Sequence, residues 1–326
     1  MTRSGPVGLA QSDPARASEY RAALQQFEEL IRAAESTGPA SRPLPLFYAL
    51  TQAGRAIVAV RGGPAHHGHG LTLGPLDTSA LDTEVSVSQS GRSVGHYQAV
   101  AQALASPPLN GRVKIGALLA SLPEMADTLL LHDDWPRAIA VFERDPGLHV
   151  PTPGWLHVTI VVDDLSVDLK RLLTLLADYP AVQGRIGTPS AVGSLPFLPS
   201  YSTPEGNGVG VMFKGNIAEL DAAAPQYRIY GRRWLRPAIA GSSPPQPTMT
   251  WWALLYALSM YARYHPREWV AALDIDSSPV GVTLERVMDR ALDALPHLVL
   301  DGVLPNPFLL PAIHGAGPDP FGQGRL

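Results

Sequence analysis

Two apolar segments with nearly the same sequence constrain the fold of this chain more than any other feature. Residues 46–55 read LFYALTQAGR, and residues 254–263 read LLYALSMYAR. Aligned without gaps, residues 46–56 and 254–264 are identical at five of eleven positions. Each segment is uncharged apart from one arginine, and a helix that is apolar almost all round is buried. Because the segments lie far apart in the sequence, we expect the two helices to pack together as one helical unit.

Each of these helices carries a tyrosine and an arginine seven residues apart, Tyr48 with Arg55 and Tyr256 with Arg263. Seven residues is nearly two helical turns, so each pair lies along one side of its helix. An arginine in a buried helix needs a partner or a ligand. The candidate ligand-binding residues at this Tyr/Arg junction are Tyr48, Gln52, Arg55, His69, Tyr256, Ser259 and Arg263.

Two interpretations of the junction remain open. In the first, the two arginines hold a phosphate or carboxylate group of a ligand, since the guanidinium group matches both geometries. In the second, each arginine pairs with a carboxylate or with helix-end carbonyls and locks the helices together. Structural ion-pair networks are a common reason for buried charges.

The composition describes a globular protein with a sizeable core. Of the 326 residues, 45% are hydrophobic and 17% are charged. The net charge of −4 gives no global attraction to nucleic acid. The chain has no cysteine, which excludes disulfides and thiolate metal sites. It also shows no signal peptide and no apolar run of membrane length, so we expect a cytoplasmic protein without a membrane partner and without a cofactor.

The distribution of patterns predicts a helix-dominated α+β fold, in which the N- and C-terminal helices form one unit with a mixed β-rich insertion between them. Helices are predicted over residues 15–35, 46–60, 92–105, 114–131, 167–176, 254–264, 266–273 and 284–304. Strands are predicted over residues 84–88, 139–142, 156–162, 209–213 and 227–230, with a long loop at 181–208.

Five regions follow from this layout. They are a flexible leader at 1–14, an N-terminal helical half at 15–131, a β-rich middle segment at 132–240, a C-terminal helical half at 241–304 and a Pro/Gly-rich tail at 305–326. The clearest predicted strand of the middle segment is LHVTIVV at residues 156–162. On it, one face is shared by Leu156, Val158, Ile160 and Val162.

A glycine-rich loop, RGGPAHHGHG at residues 61–70, holds three histidines, His66, His67 and His69. Imidazoles are common metal ligands, but histidines so close together on such a loop rarely meet at one ion without an acidic partner. Asp133 and Asp134 could supply that partner, although nothing in the sequence brings them near. We therefore assign no metal site. The remaining interpretation is a surface loop in which the glycines shape a turn.

Three separated blocks carry a resemblance to a known family. PLPLFYALTQAGRAIVA is followed by HGHGL, and later by WWALLYALSMYARYHPREW with a terminal helix ending in PHLVL. In this order the blocks resemble the YaaC-like protein family of bacteria. The resemblance implies a cytoplasmic, helix-dominated protein and implies no particular chemistry.

The candidate residues leave two hypotheses for the function. The first is a non-catalytic protein that binds a protein partner or a small anionic ligand at the Tyr/Arg junction. The alternative is a HEPN-like ribonuclease or nucleotide-directed enzyme, such as one of bacterial defence, because Arg61 and His66 match the Arg-x4-His spacing of HEPN ribonucleases. In such a site arginine stabilises phosphate charge and histidine performs acid–base work. Gly62, Gly63 and Pro64 between the two residues depart from the helical setting of that family.

Overall fold

The computed structural model describes residues 5–88, 94–126, 128, 135–143, 153–163, 166–187, 198–203, 206–224, 226–227 and 232–304. The helices are α1 (Pro14–Glu35), α2 (Pro43–Arg61), α3 (His96–Ala103), α4 (Ile115–Ala120), α5 (Leu169–Leu175), α6 (Ile217–Ala223), α7 (Pro247–Tyr264), α8 (Pro266–Leu273) and α9 (Gly281–Val303). The strands are β1 (Leu71–Leu73), β2 (Glu84–Val87), β3 (Arg112–Lys114), β4 (Ile139–Glu143), β5 (Trp155–Val161), β6 (Ile186–Gly187), β7 (Ser200–Thr203), β8 (Gly206–Lys214), β9 (Gln226–Tyr227) and β10 (Arg232–Leu235).

Helix α1 begins where the sequence provides a cap. The Asp13 carboxylate accepts hydrogen bonds from the backbone N–H groups of Ala15 (2.9 Å) and Arg16 (3.2 Å), and Pro14 occupies the first turn. Tyr20 and Phe27 on its apolar side are buried in the main core. The helix predicted over 15–35 is confirmed.

Helices α2 and α7, which contain the two similar segments, are in direct contact. A Cβ placed on Gly54 of α2 would lie 2.4 Å from Cη2 of Trp252 of α7, so the indole rests against the bare glycine. Helix α9 packs on α2 in the same way, because a Cβ on Gly302 would lie 2.7 Å from Cδ1 of Ile57. Helices from both ends of the chain therefore share one hydrophobic core, as the sequence predicts.

A small antiparallel sheet in the order β1-β2-β3 lies within the N-terminal half. Leu71, Val85 and Val113 contribute one residue per strand to the main core. Only β2 is predicted from the sequence. Strands β1 and β3 have three residues each, too short for an alternating pattern to be visible.

The middle segment forms an antiparallel sheet in the order β6-β8-β5-β4-β10-β9, with β7 also paired to β8. On one face, side chains such as Val158 and Ile160 of β5 form a second core with Leu172 of α5 and Leu220 of α6. This confirms the predicted face of β5. On the main-core side, Ala140 and Trp234 belong to the helical core, so the sheet packs directly on it.

Several sequence predictions are wrong in extent. Helix α4 ends at Ala120 instead of continuing to 131, because a separate short 3-10 turn at Pro123–Met125 follows it. Strands β6, β7 and the first residues of β8 occupy part of the loop predicted at 181–208. The helix predicted at 284–304 is confirmed as α9, which continues through Pro296 to Val303. Residues 228–230 of the predicted edge strand and the tail at 305–326 lie outside the described residues.

In the part of the chain that the structure describes, no helix is long and apolar enough to cross a membrane.

Candidate functional site

Of the tyrosines and arginines predicted at the Tyr/Arg junction, one pair meets across the two segments. Arg263 of α7 donates a hydrogen bond to the hydroxyl oxygen of Tyr48 of α2 at 3.1 Å. It donates a second one to the hydroxyl of Tyr264 at 2.9 Å, and its guanidinium lies 4.9 Å from the centre of that ring. The tyrosine of one segment thus binds the arginine of the other.

The predicted burial of the two arginines is wrong. The Arg55 side chain is 51% exposed, and Arg263 is also exposed. Arg263 stands in the last turn of α7, where the helix leaves the core. Arg55 lies on the flank of α2 that faces α1, and its guanidinium is 3.5 Å from the carboxylate of Glu19 of that helix. Helical periodicity identifies the side on which a residue lies but not whether a neighbour covers that side.

Tyr256 and Ser259 are buried and have internal partners. The Tyr256 hydroxyl donates to the backbone carbonyl of Leu71 at 2.9 Å, which ties α7 to β1. Ser259 donates to the Tyr256 carbonyl within the same helix at 2.8 Å. Gln52 is half-buried on α2. The structure therefore does not bring Tyr256 and Ser259 to the surface with the arginines.

Arg55 instead lines an open cleft of about 670 Å³. The cleft lies between α1, α2, the start of α3 and the loop of residues 61–70, which we call the histidine loop. Its charged and titratable lining residues are Arg16, Glu19, Arg55, His66, His67, His69 and His96. Ala15, Thr51, Val58 and Ala59 supply most of the remaining wall. Of these residues, the sequence analysis singled out Arg55 and the three loop histidines.

The histidine loop is fixed by backbone hydrogen bonds to the segment that opens α3. The His67 N–H donates to the Val94 carbonyl at 2.9 Å, and the Tyr97 N–H donates to the His69 carbonyl at 3.1 Å. Gly70 has a φ of +81°, and a Cβ on Gly95 would lie 2.2 Å from the Gly70 Cα. Glycine is required at both positions because the two backbones touch.

His96, at the start of α3, is the histidine that sequence reasoning missed. Its ring is stacked on the His66 ring with 4.3 Å between centroids and 6° between planes. Its other neighbour is the buried indole of Trp252, edge-on at 4.9 Å. Burial, reinforced by the charges of His66 and Arg55, lowers the pKa of His96 to about 3, so its imidazole is neutral at pH 7. Within the described residues its Nε2 has no hydrogen-bond partner.

His69 connects the cleft with the Tyr/Arg junction. It lines the cleft, and its ring lies 5.3 Å from the Phe47 ring and 6.0 Å from the Tyr256 ring. Burial of the ring and the positive charge of Arg263 both lower the pKa of His69.

The two arginines of the cleft differ in how they are held. Arg16 donates to the carbonyls of Val58 (3.3 Å) and Ala59 (3.4 Å) and lies 3.4 Å from Asp13, so it joins α1 to the last turn of α2. Among the residues that the structure describes, Arg55 has one weak partner, Glu19, which is itself half exposed. Arg55 is therefore the cation of this cleft that an incoming group can most readily engage.

Arg61 lies outside the cleft lining. Its guanidinium donates to the carbonyls of Gly302, Asp301 and Leu304, at the C-terminal end of α9. Cations favour this end of a helix because its last carbonyls carry partial negative charge. Arg61 thus fastens α2 to α9, while His66 faces the cleft.

No group of three or more histidine, cysteine, aspartate or glutamate side chains within the described residues is arranged to hold a metal ion. Asp133 and Asp134, which the sequence offered as acidic partners for the loop histidines, lie outside those residues.

The fold and the site together define a helix-dominated α+β protein with an open cleft lined by arginine and histidine. A family model described as YaaC-like Protein matches residues 8–303, which is most of the chain. The chain therefore belongs to the YaaC-like protein family, as its sequence blocks indicate. Neither a curated protein nor a solved structure matches it.

Proposed function

We propose that this protein binds a small anionic ligand, carrying a phosphate or carboxylate group, in the cleft between α1, α2 and the histidine loop. Arg55 is the principal binding residue. The observation that carries the proposal is the position of Arg55, a half-exposed arginine beside four histidines.

The state of Arg55 favours an exchangeable partner. An ion pair between two half-exposed side chains at 3.5 Å contributes little to stability. A phosphate or carboxylate can accept two parallel hydrogen bonds from one guanidinium, which makes it a better partner than a carboxylate held at a longer distance. A ligand can therefore displace Glu19 at small cost.

Two of the cleft histidines add polar groups without adding much positive charge. His69 and His96 both have lowered pKa values, and a neutral imidazole has one N–H donor and one acceptor nitrogen. The cleft volume of about 670 Å³ is typical of small-molecule sites. A small ligand thus fits the cleft better than a folded protein, which would need a broad, complementary surface.

The geometry gives no support to RNA cleavage by Arg61 and His66. Arg61 is held by α9 carbonyls, and only His66 of the two lines the cleft. The net charge of −4 also gives no overall electrostatic attraction to the negatively charged RNA backbone.

Calorimetric titration of the purified protein with inorganic phosphate, pyrophosphate and citrate at pH 7 tests the proposal. At least one of these anions binds the wild type, and Arg55→Gln weakens that binding by about tenfold or more, because it removes charge-assisted hydrogen bonds. Arg32→Gln is the matched control, since Arg32 is an exposed α1 arginine in an ion pair with Glu28.

Glu19→Gln supplies a second variant with the opposite sign. Removing the competing carboxylate tightens anion binding roughly two- to fivefold, which corresponds to the weak ion pair that the ligand no longer has to break. The proposal is wrong if none of the three anions binds, or if Arg55→Gln and Arg32→Gln have equal effects.

A further inference from the structure

Arg263 forms a second cationic group beside the cleft, and it has no acidic partner. Among the described residues it has two hydrogen-bond partners, the hydroxyls of Tyr48 (3.1 Å) and Tyr264 (2.9 Å), and it forms no ion pair. In both bonds the tyrosine oxygen accepts, so each tyrosine keeps its O–H group as a free donor. One guanidinium and two phenol hydroxyls thus present hydrogen-bond donors, all suited to an anion.

This donor group is open to solvent. Tyr264 is 57% exposed and Tyr48 is 37% exposed, and Arg263 between them is exposed as well. The Arg263 guanidinium lies over the Tyr264 ring, which orders its plane while leaving its outer edge accessible. A pre-ordered arginine loses less side-chain freedom when it binds an anion.

Ring contacts connect His69, which lines the cleft, with Tyr48 of the Arg263 donor group. The His69 ring lines the cleft and packs on Phe47, and the Phe47 ring lies 5.8 Å from that of Tyr48. The effect of the Arg263 charge on the His69 pKa agrees with this proximity. Arg16, the other arginine of the cleft, cannot play the same part because its guanidinium is occupied by the α2 carbonyls.

The spacing of Tyr48 and Arg55 along α2 gives the order of magnitude of the separation between the two cationic groups. Tyr48, which holds Arg263, and Arg55 lie on the same side of α2, seven residues apart. At a rise of 1.5 Å per residue, this places their Cα atoms about 10 Å apart along the helix.

We propose that the ligand carries two anionic groups about 10 Å apart, one bound by Arg55 in the cleft and the other by Arg263 with Tyr48 and Tyr264. This inference rests on the proposed function, because it adds a second subsite to the same ligand.

Linear bisphosphonates measure the second subsite directly. The probes are octane-1,8-bisphosphonate, whose two groups can span such a distance, propane-1,3-bisphosphonate, which is too short, and octylphosphonate, which has one anionic group on the same chain. The wild type binds octane-1,8-bisphosphonate about tenfold or more tightly than the other two, since only this probe reaches both arginines. Calorimetry at pH 7 gives the three affinities.

Arg263→Gln assigns the gain to its residue. It reduces the affinity for octane-1,8-bisphosphonate at least about fivefold more than the affinity for octylphosphonate, because only the bisphosphonate loses a contact. Arg267→Gln, which removes an exposed arginine at the nearby start of α8, is the control for loss of charge. Circular dichroism spectra and melting temperatures check that both variants fold like the wild type.

Two results overturn the inference in distinguishable ways. If octylphosphonate binds in an Arg55-dependent manner but octane-1,8-bisphosphonate gains nothing, or if Arg267→Gln matches Arg263→Gln, the second subsite is wrong and the anion-binding cleft stands. If neither octylphosphonate nor octane-1,8-bisphosphonate binds the wild type, the second subsite is wrong, and the cleft proposal fails with it when inorganic phosphate, pyrophosphate and citrate do not bind either.

Discussion

The same side chain serves different purposes in this protein according to its surroundings. His67 is exposed at the cleft, whereas His96 is 5% exposed beneath the His66 ring. Arg55 is available in the cleft, whereas Arg61, six residues further along the helix, is bound to the end of α9. Residue type alone therefore does not identify the functional groups. The contacts of each side chain determine whether it is available to a ligand.

His96 makes the stability of the fold depend on pH. Its pKa in the folded protein is about 3, below the value of 6.5 for an unperturbed imidazole. Between these two values the unfolded chain binds the proton and the folded protein does not. The contribution of His96 is therefore fully present above about pH 6.5 and declines as the pH falls towards 3, by up to about 1.4 kcal/mol per pH unit.

The variant His96→Phe isolates this effect, because a phenyl ring can occupy the same space between His66 and Trp252 without titrating. Urea unfolding from pH 7 to pH 4 is expected to show a smaller loss of stability on acidification in His96→Phe than in the wild type. His67→Phe, which replaces an exposed imidazole of the same loop, is expected to follow the wild type. Identical pH profiles for His96→Phe and the wild type would contradict this account.

At the scale of elements, helices α2 and α7 pack closely against each other in the helical core. Trp252 is 1% exposed, and its ring occupies the space that a side chain at position 54 would fill. The corresponding residue of the second segment is Ala262. The difference between the two segments at this position is therefore what allows one helix to receive the indole of the other.

Gly54→Ala is expected to lower the free energy of unfolding by roughly 1–3 kcal/mol, because the new methyl group overlaps Trp252 and Val100, both buried. The destabilisation caused by the overlap outweighs the ~1 kcal/mol by which alanine is favoured over glycine within a helix. Gly38→Ala is the control, since no heavy atom lies within 4 Å of a Cβ there. Chemical denaturation measures both, and an unchanged or raised stability of Gly54→Ala would show that the contact is loose.

The elements that could be predicted from the sequence are those whose signal is local. Helices α2 and α7 could be predicted from long, mostly apolar segments, and the buried face of β5 could be predicted from alternation over seven residues. His96 could not be assigned to the site, because it approaches the histidine loop through tertiary backbone contacts, namely the hydrogen bond of its N–H to the Gly68 carbonyl and the contact of Gly70 with Gly95. The pairing of Arg263 with Tyr48 likewise depends on the relative position of two helices.

At the scale of the whole molecule, one core includes helices from both ends of the chain, and the middle sheet adds a second core of its own. This arrangement places the cleft on α1 and α2, supported from behind by α7 through Trp252 and His96. The division of the chain at residues 131/132 and 240/241 stays a prediction.

The charge of the molecule is distributed so that the cleft differs from the average surface. The chain has a net charge of −4, yet the cleft lining has two arginines, Arg16 and Arg55, and a single acidic residue, Glu19. A local excess of positive charge in an acidic protein favours small anions over polyanions, because the net negative charge opposes the approach of a long negatively charged chain.

The central claim is that an anion binds in this cleft, and imidazole NMR signals test it most directly. Titration at pH 7 with inorganic phosphate, pyrophosphate and citrate in turn is expected, for at least one of them, to shift the ring signals of His66, His67 and His69 along one saturable binding curve. Arg55→Gln is expected to weaken that binding. His157 on β5 and His297 on α9 serve as references within the same protein and stay unshifted. A titration in which the cleft histidines do not respond, or respond no more than His157 and His297, would contradict the account.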